Sequence, residues 1–419
     1  MAATLSSLII SDYHNNAEVV GRLRIRVYEW NNLLHARLLP SQTVRTEDQQ
    51  SVTPAKPITI SEMTTGVPKF TWLTVARRLA YALIGLLLFV LALELLKRGA
   101  TSYGKLLVEQ LNITSLASAL GFGWLLAYIF LSGSPVAAIA VAFFASGTID
   151  MLQTLTMITG SRLGASFIVL FVGFLYHLRG HRRAASVAIG VLAFLTTASI
   201  YLPALALGYW LLQSQLIGVI TATANSPLNS VIDIIVDPIV AFIVHISPDW
   251  SLLIIGALIL LSAFSLLDRA IPDVPGGQSV FGKVGQLLYR PWAMFLLGAL
   301  ITSFTLSVSV SLSMLVPLTI RGLIRRENAL PYIMGANITT FIDTLVAALI
   351  IGGAAAFTIV LIEMICVTFF SLLVLLLFYR PFARIVLGTE AFIVSSTPRL
   401  IGFLGLIFAI PLVLLFVRW

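Results

Sequence analysis

Charge is what this sequence has least of: Lys, Arg, Asp and Glu make up 11% of its 419 residues, while 58% are hydrophobic. A soluble domain carries about a quarter charged residues, so a water-soluble globular enzyme is excluded. Cysteine is almost absent. Cys366 stands alone in an apolar run, which rules out a disulfide framework and leaves the redox compartment open. His177 and His181 are four apart but lie among Arg179, Arg182 and Arg183, so a solvated basic loop explains them and a metal site lacks its third ligand. No HExxH motif, phosphate loop or nucleophile beside a base is present, which makes an intramembrane enzyme the weakest function class. The formal charge of +8 is dispersed in short clusters between apolar runs, not gathered on one face, and this argues against nucleic acid as a partner.

What is present is long apolar runs. A hydrocarbon core about 30 Å thick takes about 20 helical residues to cross. Leu79 to Leu96, Ala184 to Leu212, Trp250 to Leu267, Phe357 to Phe378 and Leu400 to Val417 read as plain spanning helices, with Glu94 and Glu363 their only charges. Two further apolar regions are longer than one crossing and are interrupted. The first, Ser115 to Tyr176, is broken at Ser132-Gly133-Ser134-Pro135 and again at Gly160-Ser161-Arg162-Leu163-Gly164; the second, Pro291 to Ile351, near Ser307-Val308-Ser309 and at Gly335 to Thr340. Residues 1–70 are mixed in charge and carry four prolines without an n-region, apolar h-region and cleavage site, so they read as an extramembrane segment. Within it, Ile25 to Leu39 is either an amphipathic surface helix or part of a disordered tail.

The chain matches itself at a fixed offset. A shift of 175 residues pairs Gly123 with Gly298, Ser132 with Ser307, Ser134 with Ser309, Gly147 with Gly322 and Gly160 with Gly335, without a gap. Apolar matches are cheap in this composition, but Gly and Ser matches are not. The duplicated unit reads as helix, broken hairpin, broken helix, helix.

Charges orient the copies. Gly147 to Gln153 has no Lys or Arg, whereas the equivalent Gly322 to Asn328 carries Arg325 and Arg326, with Arg321 just before. Basic loops stay cytoplasmic, so equivalent loops fall on opposite sides of the membrane. The predicted fold is an all-α integral membrane protein of two inverted-topology repeats with re-entrant helical hairpins and broken helices. Its segments are a cytoplasmic residues 1–70, repeat one at 76–212, an extracellular linker or interfacial piece at 213–249, repeat two at 250–387 and a C-terminal transmembrane helix at 388–419. The expected location is the plasma, or cell inner, membrane with a cytoplasmic N-terminus. Leu228 to Ile246 is apolar enough to span, but Asp233, Asp237 and Pro238 favour an interfacial or re-entrant piece.

Backbone that leaves helical geometry at membrane depth survives only where it lines a polar cavity or is buried in protein. Two serine-bearing tips and two glycine-flanked breaks would therefore converge near the midplane, where helix N-termini suit anions and carbonyls and hydroxyls suit sodium. This is the design of a secondary transporter.

At these residues the sequence resembles the type II sodium/phosphate cotransporter family, whose two inverted copies each carry a Gln-Ser-Ser-Ser tip followed by a Gly-Ala-Asn-Ile-Gly-Thr-Thr break. GANITT, from Gly335 to Thr340, is the closest match; Leu131 and Leu306 stand where the family has Gln, and Arg162 aligns with Asn337. The resemblance covers about residues 76–387. It implies sodium-coupled uptake of inorganic phosphate, with the hydroxyls of the tips and the amides of the breaks forming the site; the candidate site residues are Ser132, Ser134, Ser307, Ser309, Gly160, Ser161, Arg162, Gly335, Asn337, Thr339, Thr340 and Asp343. Ser134, Ser309, Asn337 and Thr339 are the expected sodium ligands, and no other cofactor is implied. Thr302, Thr305 and Ser311 are weaker site candidates. Arg162 either pairs with Asp343 or meets an anionic substrate, and Glu363 is either a proton carrier or a hydrogen-bond partner of a neighbouring helix. Rival readings are transport of another small anion, proton coupling, and a transport-inactive scaffold or sensor on the same fold.

Overall fold

The computed structural model describes residues 72–111, 113–178, 184–214, 227–270, 290–305 and 324–416, with Val308, Ser311, Leu312, Leu315 and Thr319 between the last two. The N-terminal segment, the basic loop at 179–183, Ser307 and Ser309 lie outside the described residues. All described elements are helical: α1 Trp72–Gln110, α2 Leu116–Phe130, α3 Ser134–Ala145, α4 Met151–Leu178, α5 Ala184–Gln213, α6 Pro227–Ile246, α7 Asp249–Ala270, α8 Pro291–Thr305, α9 Arg326–Thr339, α10 Phe341–Ala347, α11 Gly353–Leu373, α12 Tyr379–Val394 and α13 Thr397–Phe416. Short π-helical turns, Ala348–Gly352 and Val374–Phe378, flank α11. Six helical stretches among the described residues are long and apolar enough to cross a membrane, so the protein is a multi-pass integral membrane protein.

The offset of the sequence recurs in the packing. α2 and α8 begin at 116 and 291 and end at 130 and 305, while α4 and α9 begin at 151 and 326; each pair of boundaries is 175 residues apart. The contacts repeat as well. A Cβ on Gly123 would run into the carbonyl oxygen of Met157, and one on Gly298 into that of Tyr332. A Cβ on Gly160 would strike the Leu120 carbonyl, and one on Gly335 the Phe295 carbonyl. Each partner is displaced by the same 175, so α2 lies on α4 as α8 lies on α9, with glycine in both helices letting the backbones touch.

Prolines inside two helices set up further contacts. Pro411 has no N–H for the carbonyl four residues back, that of Ile407. Tyr128 of α2 donates its hydroxyl to that oxygen at 3.0 Å, which fixes α13 against α2. Pro331 in α9 orphans the Glu327 carbonyl in the same way, and the Tyr379 hydroxyl of α12 donates to it.

Three features differ from the sequence expectation. No break exists at Gly160-Ser161-Arg162-Leu163-Gly164, because α4 is one uninterrupted helix. Its glycines serve close contact with α2, and the Ser161 and Ser166 hydroxyls bond the Ile158 and Leu163 carbonyls of their own helix. The break after Gly335 is slight: α9 and α10 are separated by Thr340, whose φ of −66° and ψ of −11° stay near helical values. The sharper interruption comes at Gly353, with φ +64°, a conformation that favours glycine. Finally, the expected C-terminal transmembrane helix at 388–419 is divided between α13, which starts at Thr397, and the end of a separate helix, α12. It is amphipathic, burying Ala383, Val386, Glu390 and Ile393 while Ile385 and Phe392 stay exposed.

Ser132 and Gly133 do interrupt the chain. α2 ends at Leu131 in the left-handed conformation and α3 starts at Ser134, with Pro135 in its first turn. α2 has 15 residues and α3 has 12, lengths of about 22 and 18 Å at 1.5 Å per residue, so neither alone crosses the hydrocarbon.

Candidate functional site

Arg162 is the centre of the buried polar region. It lies midway along α4, is 4% exposed, and reaches from the first copy to the second. Nη1 donates to Thr340 Oγ1 at 3.1 Å, and Nη2 donates to the Thr340 carbonyl at 3.2 Å and to Thr344 Oγ1 at 2.6 Å. The Phe341 ring lies 4.9 Å from the guanidinium carbon. Asp343 Oδ1 is 3.9 Å from Nη2 and accepts from Thr344 Oγ1 at 2.9 Å, so the threonine hydroxyl stands between the two charges. The Ser134 hydroxyl lies beside the same carboxylate. A buried ion pair this long owes most of its stability to these added hydrogen bonds. Two groups remain without a protein partner, Arg162 Nε and Asp343 Oδ2.

The α9–α10 junction supplies the acceptors. Because Thr340 closes α9 and precedes α10, its carbonyl is at a helix end and is free to accept from outside the helix. Asn337, one turn earlier, donates Nδ2 to Thr197 Oγ1 at 3.0 Å, and its carbonyl accepts from the Tyr201 hydroxyl at 2.9 Å. Tyr201 in turn stacks on Phe341, with ring centroids 6.0 Å apart. Both bonds tie the junction to α5.

These groups surround a small cavity. Ser132, Gly133 and Ser134 of the α2–α3 tip line it, with Arg162, Ala165 and Ser166 of α4, Val308, and Asn337 and Thr340 of the junction. The tip reaches α4 because Gly133 has no side chain: a Cβ there would come within 2.8 Å of the Ser161 carbonyl.

The sequence-derived site residues fall into three groups. Ser132, Ser134, Arg162, Asn337 and Thr340 meet at the cavity, and Asp343 adjoins it. Gly160 and Gly335 lie at helix contacts, Ser161 bonds its own helix, and Thr339 Oγ1 sits 3.4 Å from the Gly335 and Ala336 carbonyls of its own helix. Ser307 and Ser309 lie outside the described residues. Thr302 donates to Ser311 at 2.7 Å and Ser311 meets the Tyr332 hydroxyl at 2.9 Å, a network inside the second copy.

Sequence reasoning missed Ser166, Thr344, Thr197 and Tyr201. Spacing held a signal for the first two, since Ser166 is one helical turn after Arg162 and Thr344 one turn after Thr340. Thr197 and Tyr201 are also one turn apart, but nothing in α5 marked that face as polar.

No curated protein and no solved structure matches the chain. Residues 259–395, which run from within α7 through α12 and contain the Thr340 junction, Asp343 and Glu363, match the model of the Na+/Pi-cotransporter family.

Proposed function

We propose that the protein is a secondary active transporter that carries inorganic phosphate with sodium by alternating access. The observation that carries this reading is the serine-lined cavity under Arg162, a buried fixed cation whose Nε has no protein partner. Guanidinium and hydroxyl donors around one small space suit an oxyanion, and an intramembrane charge facing a cavity marks a transport path. The family match over residues 259–395 suggests sodium-coupled phosphate transport, and it supports reading the anion as phosphate and the coupling ion as sodium. The two copies are read as inverted, because Asp150 and Arg325 occupy equivalent positions just before α4 and α9 while only the second is followed by another Arg. Alternating access follows as a rocking of one copy against the other, with the α2–α3 tip and the Thr340 junction exposed to each side in turn.

Arg162 replaces the asparagine expected at its position, so it takes over part of the charge that bound sodium supplies elsewhere. Radiolabelled phosphate uptake by the full chain in proteoliposomes, with sodium, lithium or choline outside, tests the reading. Saturable uptake in sodium alone is expected. Equal uptake in choline would overturn sodium coupling, and no uptake together with no phosphate-dependent thermal stabilisation would favour the scaffold reading. Arg162→Asn is expected to weaken uptake and steepen its dependence on sodium. Identical sodium dependence in mutant and wild type would show that the guanidinium does not share sodium's role.

A further inference from the structure

One buried charged side chain has no part in the cavity described above. Glu363, on α11, is 1% exposed. Its Oε1 accepts a hydrogen bond from Thr159 Oγ1 of α4 at 2.7 Å, and its Oε2 has no hydrogen-bond partner. The groups that face it are Arg162 of α4, the Tyr201 phenol of α5, which Asp343 of α10 also faces, and Cys366 one turn further along α11.

Arg162 is already engaged. Its Nη atoms are bound to Thr340, Thr344 and Asp343, and among the described residues no Lys, Arg or His lies within ion-pair distance of Glu363. With both carboxylates ionised, the buried cluster would hold two negative charges against one positive, and the excess would sit on the carboxylate with the fewer donors. An ionised carboxylate buried without a cation is strongly disfavoured, so Glu363 needs a positive partner. No group of three His, Cys, Asp or Glu side chains that could hold a metal ion occurs among the described residues. A proton needs only the bare Oε2.

We propose that Glu363 carries a proton as part of the transport cycle, beside the phosphate and sodium of the preceding section. Binding converts the carboxylate to the neutral acid with a proton from the water on the entry side. Release to the opposite side restores the carboxylate once that water reaches α11. The protonation step stands without the phosphate reading; the coupling of that proton to cargo rests on it.

The two halves are tested separately. Infrared difference spectra of the full chain in lipid, taken between neutral and alkaline pH, should contain a protonated carboxyl band that shifts in heavy water and is missing from Glu363→Gln. Absence of that band from wild type overturns the proposal. For coupling, inorganic phosphate is followed in proteoliposomes with equal sodium on both sides, a fixed external pH and an alkaline interior. Wild type and Glu363→Asp should accumulate phosphate, and a protonophore should abolish it. Glu363→Gln should lose accumulation while still exchanging labelled for unlabelled phosphate at a rate no longer sensitive to internal pH. Accumulation by Glu363→Gln equal to wild type would also sink the idea. Should wild type exchange no phosphate at all, the transport reading fails, and the infrared arm still decides whether Glu363 holds a proton.

Discussion

Arg162 shows how one side chain can couple two halves of a chain. Its guanidinium spans from α4 to Thr340 and Thr344, and Asp343 balances its charge. Removing one member of such a buried pair typically costs about 3–5 kcal/mol because the other is left uncompensated. Arg162→Asn should therefore lower the thermal unfolding temperature sharply, whereas Arg162→Asn with Asp343→Asn should recover most of it. Equal instability of single and double variants would mean that the hydrogen bonds to the threonines, not the charge balance, hold the site. The sequence placed Arg162 and Asp343 together because ionised residues in an apolar chain are so few. It could not reveal Thr344 between them, since a hydroxyl in a membrane helix usually bonds its own backbone, as Ser161, Ser166 and Thr358 do here.

The glycines behave alike at two sites. A methyl on Gly160 or on Gly335 meets a backbone carbonyl of the facing helix, and backbone cannot yield as a flexible side chain can. Gly160→Ala and Gly335→Ala should each cost about 1–3 kcal/mol, the range for overpacking a tight contact. The drop in melting temperature should be similar in the two variants, because the contacts are equivalent.

At the scale of elements, the sequence marked where helices meet better than where they bend. Gly160 and Gly164 were read as a break, yet α4 passes through them unbroken, since glycine serves close packing as readily as unwinding. α12 went unseen because its apolar residues are spaced as a stripe and interrupted by Arg380, Arg384 and Glu390, which lowers its mean hydropathy below that of a span. Glu390 in that stripe is buried and accepts from Arg326 of α9 at 3.3 Å.

Two element ends carry predictions. Leu131 closes α2 at φ +50° with its side chain 49% exposed, and a left-handed backbone costs a non-glycine residue about 1–2 kcal/mol. Leu131→Gly should thus raise the melting temperature slightly despite the lost side chain; a clear fall would mean that Leu131 packs against a group in the second copy. Tyr128→Phe, in contrast, keeps the ring but leaves two groups unpaired: the Ile407 carbonyl, already without its helical donor because of Pro411, and the Trp124 Nε1–H, which donates to the phenol oxygen at 2.6 Å. A destabilisation of about 1–3 kcal/mol is expected, the usual penalty for an orphaned buried acceptor. Adding Pro411→Ala to Tyr128→Phe should restore only the part owed to the Ile407 carbonyl, because the Trp124 Nε1–H still lacks its acceptor.

For the whole molecule, the question is whether equivalent parts face opposite sides of the membrane. The repeat was legible in the sequence because small residues must recur wherever backbones touch, and the helix boundaries keep the same offset. Orientation is an expectation from charge alone, which acts during insertion and leaves no contact to be seen in the folded chain. Asp150 and Arg325 are equivalent positions 175 residues apart, and both are exposed at the start of their helices. The chain has a single native cysteine, Cys366, which is buried. Replacing it with alanine gives a background in which Asp150→Cys and Arg325→Cys can be probed one at a time in intact cells. An inverted pair should react with a membrane-impermeant maleimide from the outside at position 150, and at position 325 only after the membrane is opened. Labelling of both from the same side would mean parallel copies, which removes the inverted symmetry on which the alternating-access reading rests.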